Sequence, residues 1–540
     1  MKLTKRLIFT ATASLVVALS ASALSPEAYT EQSALSSGKW VKISVEQTGM
    51  HFIPSATLSS WGFKNPQAVR IHGYGGRMLS DVLDPAEYID DLPEIPRELT
   101  SGGLVFYAVG PVQEVYSETS SSLTHEVNPY DTKGYYFLTE SSAGEALVPE
   151  KSGQPLGSSA GCRTSAKAIL IHEQELSSPG GSGRLMVGED FNYTRRRNFS
   201  FKLPGLVKSE PVELNTSFFT RTPSLASTLR FEFNGVIPAQ DAAMSISATT
   251  QGDGYWGRQA VFNHSDIKCS ADELTIGLTL ECNGVVNKAN LDYFEIIYTR
   301  SLQTSGVFFA DGTESLALMA ADANRRIWDV TTAHHPLQIN LGSTGAWRSD
   351  FNQMRRYVSW STAETASMPR PRMAGNVAAQ NLHGMTQIPD MVIIAPTVYQ
   401  SAAHSIAEIH HNNAYDPLTV EVVDLNQILN EFGSGAFDPG AIRRFLKMLY
   451  DRGNAAGTPL KYALMMGKGT CDNRALTGTG KAMRSPMPLW VSVESLAENS
   501  SYSSDDYFAL LDDFDGRRPG QETLDIAVGR IPCTTADAFV

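Results

Sequence analysis

The chain has 540 residues, of which 42% are hydrophobic and 19% charged, and this balance excludes a largely disordered protein. Its formal net charge of −13 excludes a general nucleic-acid binder, because such proteins present a basic surface to the phosphate backbone. The length is that of about three domains, each with its own buried core.

The N-terminus has the three parts of a secretory signal peptide. A basic start, MKLTKR, precedes an apolar stretch at 7–19, and Ala21-Ser22-Ala23 supplies the small residues of a cleavage site. The apolar stretch is too short to span a bilayer and no later segment is long enough, so no transmembrane helix is predicted. We therefore expect residues 1–23 to be removed and the protein to be exported.

Five cysteines, at positions 162, 269, 282, 471 and 533, are few for an exported chain of this length. Stability must therefore come from buried cores rather than from disulfides. Cys269 and Cys282 flank a short segment and could pair across a hairpin. An odd number of cysteines leaves at least one thiol free.

Residues 39–300 are predicted to form β-sheets. Short runs rich in β-branched and aromatic residues, such as KWVKISV, LVFYAV, AKAILIHE and FEIIYT, are separated by Gly, Pro, Asn and Ser. We predict sandwich-like, all-β architecture, with an N-terminal β domain at 35–150 and a second β-rich domain at 160–367. The segment 368–389 contains prolines and little apolar periodicity, so it is predicted to be a linker.

In 390–540 the pattern changes to alternating strands and helices. DMVIIAP, LTVEVVDL and YALMMG predict strands, and 398–411 predicts a helix. A second helix is predicted to start at Asp438 and Pro439, to bury one stripe, and to end at Gly453. LWVSV, DYFALLDD and LDIAVGRIP predict further strands. This order indicates a partial α/β domain with a parallel sheet, in which ligands bind at the carboxyl ends of the strands.

Cys471 lies at such a strand end, in KYALMMGKGTCDNR. A cysteine nucleophile needs a base within hydrogen-bond reach, and the histidines of this region, His404, His410 and His411, all fall on the first helix. Nearby basic side chains could lower the pKa of the thiol, but that alone would give only a reactive thiol. We predict that Cys471 is not catalytic, and the residues indicate neither a catalytic group nor a cofactor site.

Two other patterns have simpler explanations than a site. His404, Glu408 and His411 share one helical face and are metal-ligand types, but a solvated polar face explains them better. GSSAG around Ser159 matches a nucleophile elbow, yet it lies in a loop between β segments rather than between a strand and a helix.

The acidic run SSDDYFALLDDFDG places Asp506, Asp512 and Asp515 around a predicted strand and the turn after it. Carboxylate oxygens at a turn can hold calcium, so these residues are our candidate calcium ligands. The alternative is a hydrophilic turn, in which Asp and Gly are the expected residues.

Several longer segments, in the same order, resemble one family. DPGAIRRFLKMLYDRG, YALMMGKGTCDNR, ENSSYSSDDYFALLDDFDG and LDIAVGRIP are similar to the first half of a gingipain-type cysteine peptidase domain. The upstream segments SGKWVKISVEQTGMHFI, NPQAVRIHGYGG, HEVNPYDTKGYYFLT, GRLMVGEDF, ANLDYFEIIYTR and IWDVT resemble the β-rich part of the type IX secretion-system sortases of this family. The resemblance covers nearly all of 38–540.

The resemblance implies a caspase/gingipain-like fold and a cysteine endopeptidase that removes the C-terminal sorting domains of exported proteins. The implied partners are those protein substrates and outer-membrane secretion components, and the implied location is the periplasm or the outer-membrane cell surface. No cofactor is required.

In this family the catalytic histidine, after a GHG-like turn, and the nucleophilic cysteine both follow the VGRIP segment. Here that segment ends at Pro532, no histidine follows it, and Cys533 lies too early to match the nucleophile. No catalytic residue is therefore transferred, and we expect a fragment that is inactive by itself. The alternative is a non-catalytic, secreted β-rich binding or scaffold protein with a degenerate peptidase domain.

Overall fold

The computed structural model describes residues 24, 26–141, 146–250, 252–320, 322–478, 481, 486–517, 519–532 and 534–535. The predicted signal peptide, residues 1–23, and Cys533 lie outside these residues. Within them the predicted fold class is confirmed, because β-sheets make up the first part of the chain and a parallel sheet with helices follows.

The first β unit consists of short strands whose apolar side chains share one core. Its elements are β1 (Trp40–Val45), β2 (Gly49–Pro54), α1 (Ser55–Ser60), β3 (Val69–His72), β4 (Glu94–Ile95), β5 (Arg97–Thr100), β6 (Gly103–Ala108), β7 (Val112–Ser117), β8 (Ser122–Val127) and β9 (Gly134–Glu140). Strands β2, β6 and β5 form one antiparallel sheet, and β1, β9, β3 and β4 belong to a second. Ile43, Phe106 and Leu138 from these two sheets pack together.

The second β unit is a sandwich of a large and a small sheet. Its strands are β10 (Glu150–Ser152), β11 (Gln154–Pro155), β12 (Ser165–Glu173), β13 (Arg196–Lys202), β14 (Val212–Arg221), β15 (Ser227–Phe233), β16 (Ala243–Ile246), β17 (Arg258–Ile267), β18 (Glu273–Glu281), β19 (Lys288–Ser301), β20 (Gly306–Asp311), β21 (Ser315–Ala317), β22 (Arg325–Asp329), β23 (Leu337–Ile339), β24 (Ala346–Arg348) and β25 (Met354–Ser361). The order β10-β23-β22-β25-β20-β12-β19-β14-β17 forms the large sheet, and β13-β18-β15-β16 forms the small sheet that packs on it. A third, three-stranded sheet has the order β11-β24-β21. Phe218 and Phe294 of the large sheet meet Phe231 and Leu278 of the small sheet in one core.

Cys269 and Cys282 are free thiols, so the disulfide considered from the sequence is not formed. Strand β18 runs between them and has 9 residues. A strand of that length extends about 30 Å. The Cα atoms of a disulfide lie within about 7 Å of each other, so cysteines at the two ends of such a strand cannot pair.

The segment 368–389 differs from a free linker. It contains β26 (Arg372–Val377), which pairs antiparallel with β1 and completes the sheet β26-β1-β9-β3-β4. This pairing satisfies backbone N–H and C=O groups of β1 that would otherwise lack hydrogen-bond partners at the edge of the sheet. The connection between the β-rich part and the α/β part is therefore fixed along the first β unit.

The last part of the chain is an α/β unit. Its elements are β27 (Met391–Ala395), α2 (Gln400–His411), β28 (Val420–Asp424), α3 (Leu425–Phe432), α4 (Pro439–Ala456), β29 (Tyr462–Met466) and β30 (Ala527–Ile531). The sheet order is β28-β27-β29-β30 and every pairing in it is parallel, as predicted. Helix α3 was not predicted. It starts directly at the end of β28, because the Asp424 carboxylate accepts a hydrogen bond from the Asn426 N–H at 2.7 Å and caps it.

Helix α4 starts where the sequence predicts and ends later. The Asp438 carboxylate accepts a hydrogen bond from Gly440 N–H at 2.7 Å, and Pro439 occupies the first turn. The predicted end at Gly453 is wrong, because the helix continues to Ala456 and Gly457 closes it with a φ of 73°. Gly453 has a packing role, since a Cβ there would lie 2.7 Å from the carbonyl oxygen of Thr458.

The prediction of a single buried stripe on α4 is also incomplete. Phe445 and Leu446 are buried, but so are the charged side chains of Arg443 and Lys447. Apolar side chains of the first β unit, such as Leu79, join the same core as α4 and the parallel sheet. Helix α4 therefore packs against both parts of the chain and fixes one relative to the other.

Two predicted strands near the end of the chain are wrong. LWVSV forms only an isolated bridge between Val491 and Ser503. DYFALLDD contains a 3-10 helix at Asp506–Ala509 instead of a strand. The Arg443 guanidinium donates a hydrogen bond to the Leu510 carbonyl at 2.7 Å, which satisfies this irregular backbone without a strand partner. Among the described helices, none has the length and apolar character needed to cross a membrane.

Candidate functional site

The carboxyl ends of the parallel strands lie along one edge of the sheet, where α/β folds bind ligands. β27 ends at Ala395, β28 at Asp424, β29 at Met466 and β30 at Ile531. We name the loops that leave these four residues the carboxyl edge. This edge is the candidate functional site.

Arg530, on β30, connects several loops of the carboxyl edge. Its guanidinium forms an ion pair with Asp505 at 2.7 Å and donates hydrogen bonds to the carbonyls of Gly467 at 3.0 Å and Pro488 at 3.2 Å. The Arg530 side chain is only 8% exposed, so these bonds are shielded from water. One buried cation therefore positions three segments that are distant in the sequence.

Two further hydrogen bonds hold the loops of the carboxyl edge in place. Gly467 has a φ of 129°, which favours glycine, and its N–H donates to the Ile531 carbonyl at 2.9 Å. The Thr397 hydroxyl donates to the Asp424 carboxylate at 2.6 Å and joins the loops after β27 and β28. The backbone of the carboxyl edge is thus held by its own hydrogen bonds.

Cys471 lies on the carboxyl edge, half-buried, and is a free thiol. Burial raises the pKa of this thiol, although the Ser503 hydroxyl opposes part of that shift. Within the described residues, no hydrogen bond joins Cys471 to a histidine. A protonated thiol without a base is a poor nucleophile.

Among the described residues, the histidine face of α2 makes no hydrogen bond to this thiol. His404, Glu408 and His411 are exposed, and the Glu408 carboxylate accepts a hydrogen bond from the Asn412 side chain at 3.1 Å. Ser159 lies in an exposed loop before β12, with no helix after it. Neither pattern forms a site in the described structure.

The three predicted calcium ligands do not all meet. Asp512 and Asp515 share a turn, in which the Asp512 N–H donates to the Asp515 carboxylate at 3.1 Å. Asp506 starts the 3-10 helix and its N–H donates to the Ser504 hydroxyl. Burial raises the pKa of Asp515 to about 6. Calcium binding by these residues stays a prediction.

A buried histidine lies between the two parts of the chain. In His383, Nδ1 is 2.7 Å from Oε2 of Glu431 and Nε2 is 3.1 Å from Oδ1 of Asp90. Burial by itself lowers the pKa, but the hydrogen bonds to Asp90 and Glu431 outweigh it and raise the pKa of His383 to about 9. At neutral pH the ring is therefore an imidazolium. It connects the segment after β26 to α3 and to the loop between β3 and β4.

Asp91, His383 and Glu431 are the one trio, among the described residues, whose potential metal-ligand atoms lie within 4.8 Å of one another. The Glu431 oxygens already accept hydrogen bonds from the N–H groups of Leu382 and His383 and from the Gln380 side chain. A metal binds a neutral imidazole, whereas both nitrogens of this ring face carboxylates. We interpret the trio as an ionic network that holds two chain segments together.

Ion pairs also attach the loops after the carboxyl edge to the β units. Arg474, three residues after Cys471, pairs with Glu175 of the second β unit, with a second contact at 2.6 Å. Arg184 pairs with Asp81 at 2.7 Å and donates to the Val491 carbonyl at 3.0 Å. The candidate site is therefore supported from both β units.

Sequence reasoning singled out the carboxyl edge but missed the residues that order it. Arg530 and Asp505 stand in quoted segments, VGRIP and SSDD, and a lone basic residue in a strand that is otherwise apolar could have indicated a buried pair. His383 lies in the predicted linker, where no pattern marked it.

A family of known peptidases matches the α/β unit that carries this edge. Residues 385–539 match the family model of Peptidase family C25, and this span contains all four strands of the parallel sheet. A comparison with curated protein sequences finds no match.

Among solved structures, the chain is similar to dimeric latent PorU from Porphyromonas gingivalis, with a TM-score of 0.82 and 26% sequence identity. The alignment covers 95% of this chain and 50% of that chain, so this chain spans half the length of that protein. The coat protein of tobacco streak virus aligns with 9% identity over 25% of this chain and 88% of its own, with a TM-score of 0.16. The cycloalternan-forming enzyme of Listeria monocytogenes aligns with 9% identity over 46% of this chain and 22% of its own, with a TM-score of 0.18.

The two informative comparisons agree with the order of the units in the fold. The peptidase match falls on the α/β unit, and the PorU likeness extends over the β units as well. The resemblance found in the sequence is thereby confirmed. Residues 385–539 form a domain of peptidase family C25, the gingipain family, within a PorU-like chain.

Proposed function

We propose that this chain supplies the N-terminal half of an exported gingipain-type cysteine endopeptidase that works as a type IX secretion sortase. The observation that supports this proposal is the likeness to PorU, which extends over the β-rich units as well as the peptidase domain. A C25 domain alone would fit many proteases. The shared β-rich part favours the sortase.

In this proposal the substrates are exported proteins that carry a C-terminal sorting domain, and the partners are outer-membrane secretion components. The protein works in the periplasm or at the outer-membrane surface, in agreement with the predicted signal peptide. A cysteine thiolate attacks the scissile carbonyl, and an amine or water then releases the acyl-enzyme.

The residues of this chain would contribute the framework of that site. Arg530 holds the Gly467 loop and Asp505 in fixed positions, so the carboxyl edge is ordered before a substrate arrives. Preorganised loops lower the cost of positioning the reacting groups.

We propose further that these 540 residues do not cleave peptide bonds by themselves. Within the described residues no cysteine forms a hydrogen bond with a histidine, and burial raises the pKa of the Cys471 thiol. Without a base or a lowered pKa, the thiolate needed for attack is scarce at neutral pH.

Deletion of the gene in its native host tests the sortase proposal. We expect exported proteins to keep their C-terminal sorting domains, as detected by mass spectrometry of their C-terminal peptides. Unchanged C-termini in the deletion strain would contradict the proposal and favour the alternative of a non-catalytic binding or scaffold protein.

A further inference from the structure

Leu24 directly follows Ala21-Ser22-Ala23, the predicted cleavage site of the signal peptide. Hydrolysis of the Ala23–Leu24 bond gives the hydroxyl of water to the Ala23 carbonyl carbon and a hydrogen to the Leu24 nitrogen, which then takes a further proton from solvent. The backbone N–H thus becomes an α-ammonium group with a positive charge. The side chains around the Leu24 nitrogen determine which groups interact with this new charge.

The Leu24 nitrogen donates a hydrogen bond to Oδ2 of Asp513 at 2.9 Å. The other oxygen of Asp513 lies 3.0 Å from Nζ of Lys447 on α4, and Lys447 also pairs with Asp451 at 2.9 Å. The Lys447 side chain is 2% exposed, Asp451 11% and Asp513 14%. The nitrogen of Leu24 therefore faces a shielded ionic cluster.

Among the described residues, two carboxylates pair with a single lysine in this cluster, which gives it one negative charge in excess. Burial raises the pKa of Asp451 even though Lys447 opposes the shift. The Tyr29 hydroxyl donates to Asp451 at 2.6 Å but brings no charge. A second cation beside Asp513 would balance the cluster, and an uncompensated charge is costly where the charged groups are shielded from water.

We propose that the processed N-terminus is a ligand of the peptidase domain, in which the α-ammonium of Leu24 forms an ion pair with Asp513. This ion pair exists only after the signal peptide is removed, since an amide nitrogen at the same place carries no charge. The inference rests on the export that is part of the proposed function.

The ion pair anchors a segment that crosses between the parts of the chain. Tyr29 is buried and packs edge-on against Tyr88 of the first β unit, with ring centroids 5.9 Å apart. The N–H of Thr30 donates to Asp90 at 2.6 Å, and the Ser33 hydroxyl donates to Asp91 at 2.9 Å. Charging the N-terminus therefore stabilises this segment on α4 in the mature protein.

The first test compares two chains that begin at Leu24, one with a free α-amine and one with the amine acetylated. We expect the free chain to have a thermal midpoint about 2 °C higher. In the Asp513→Asn background this difference should disappear. Equal midpoints for the two chains that retain Asp513 would overturn the proposal.

A second test measures the amine itself, by its rate of acylation at pH 7. The ion pair keeps the amine protonated, so we expect acylation to be about tenfold slower than in Asp513→Asn, the ratio for a pKa difference of one unit. Asp512→Asn is the matched control, because Asp512 is the exposed neighbour and its carboxylate accepts a hydrogen bond from the Tyr450 hydroxyl, whereas Leu24 donates to Asp513. Equal rates with and without the Asp513 carboxylate would contradict the ion pair, whatever Asp513→Asn does to stability.

Sequencing of the N-terminus of the exported protein separates this inference from the proposed function. A start at Leu24 supports the ion pair. A start at another residue would overturn it and leave the sortase proposal intact. Retention of the signal peptide on a protein that stays inside the cell would contradict export, and with it the proposed function.

Discussion

The Arg530 guanidinium and the Asp505 carboxylate form a two-point ion pair at the carboxyl edge, with Nη2 2.7 Å from Oδ1 and Nε 2.9 Å from Oδ2. The same guanidinium donates to two backbone carbonyls, so its loss would leave several polar groups without partners. Such an arrangement costs more to break than an exposed ion pair, because the groups cannot turn to water.

Replacing Arg530 with methionine keeps the apolar stem and removes the charge. We expect Arg530→Met to lower the free energy of unfolding by about 2 kcal/mol, measured by thermal denaturation. Hydrogen exchange should increase at 467–471, the loop whose carbonyl Arg530 holds.

Arg517→Met is the matched control for Arg530→Met. The Arg517 side chain is 58% exposed and lies 3.9 Å from Asp84, so its pair should add little stability. If both substitutions had the same effect on the thermal midpoint, Arg530 would have no special role in ordering the edge.

His383 gives the protein a dependence of stability on pH. Its pKa is about 9 in the folded chain and about 6.5 in an unfolded one. The protonated His383 ring therefore adds about 3 kcal/mol to the free energy of unfolding. This stabilisation is fully present below pH 6.5 and is lost as the pH rises through 9. We expect the thermal midpoint to fall between pH 7 and pH 10, and we expect His383→Gln to show a smaller fall over this range.

His404→Gln serves as the control for this pH series, since His404 is exposed on α2. It should leave the pH profile unchanged. A profile of His383→Gln that runs parallel to that of the wild-type chain would contradict the imidazolium network with Asp90 and Glu431.

Much of the α/β unit could be predicted from the sequence because its signals are local. The strand at 391–395 is a continuous apolar run, and Asp438 with Pro439 marks the start of α4. The carboxyl edge followed from this order of elements, since parallel strands bring their carboxyl ends together.

The contacts that connect distant segments could not be predicted, because no local pattern encodes them. Glu431 and His383 are 48 residues apart, and Arg474 and Glu175 are 299 residues apart. The burial of α4 on more than one face likewise depends on the first β unit. That unit is distant from α4 in the sequence but packs against it in the fold.

The predicted calcium site can be tested at the turn of Asp512 and Asp515. If calcium binds only the folded chain, 1 mM calcium should raise the thermal midpoint relative to a chelator, since a ligand at 100 times its Kd adds about 2.7 kcal/mol. The effect should be smaller at pH 5.5 than at pH 8, because burial raises the pKa of Asp515 to about 6 and protons then compete.

Asp515→Asn is the control for calcium, and it should remove the dependence of the midpoint on the chelator. An unchanged midpoint of the wild-type chain with and without calcium at pH 8 would favour the alternative, a hydrophilic turn whose carboxylates bond to the backbone.

Cys471 should behave as a structural thiol. Since burial raises its pKa, its thiolate fraction at pH 7 lies below the few per cent of an ordinary cysteine, and we expect slow modification by a maleimide, followed by mass spectrometry of the labelled peptides. Cys162, in the loop before β12, is the internal reference and should be modified faster. If the proposed sortase function is right, we also expect a Cys471→Ala copy of the gene to restore the processing of exported proteins in the deletion strain as well as a wild-type copy does. Faster labelling of Cys471 than of Cys162, or loss of processing in Cys471→Ala, would show that this thiol takes part in the chemistry of the carboxyl edge.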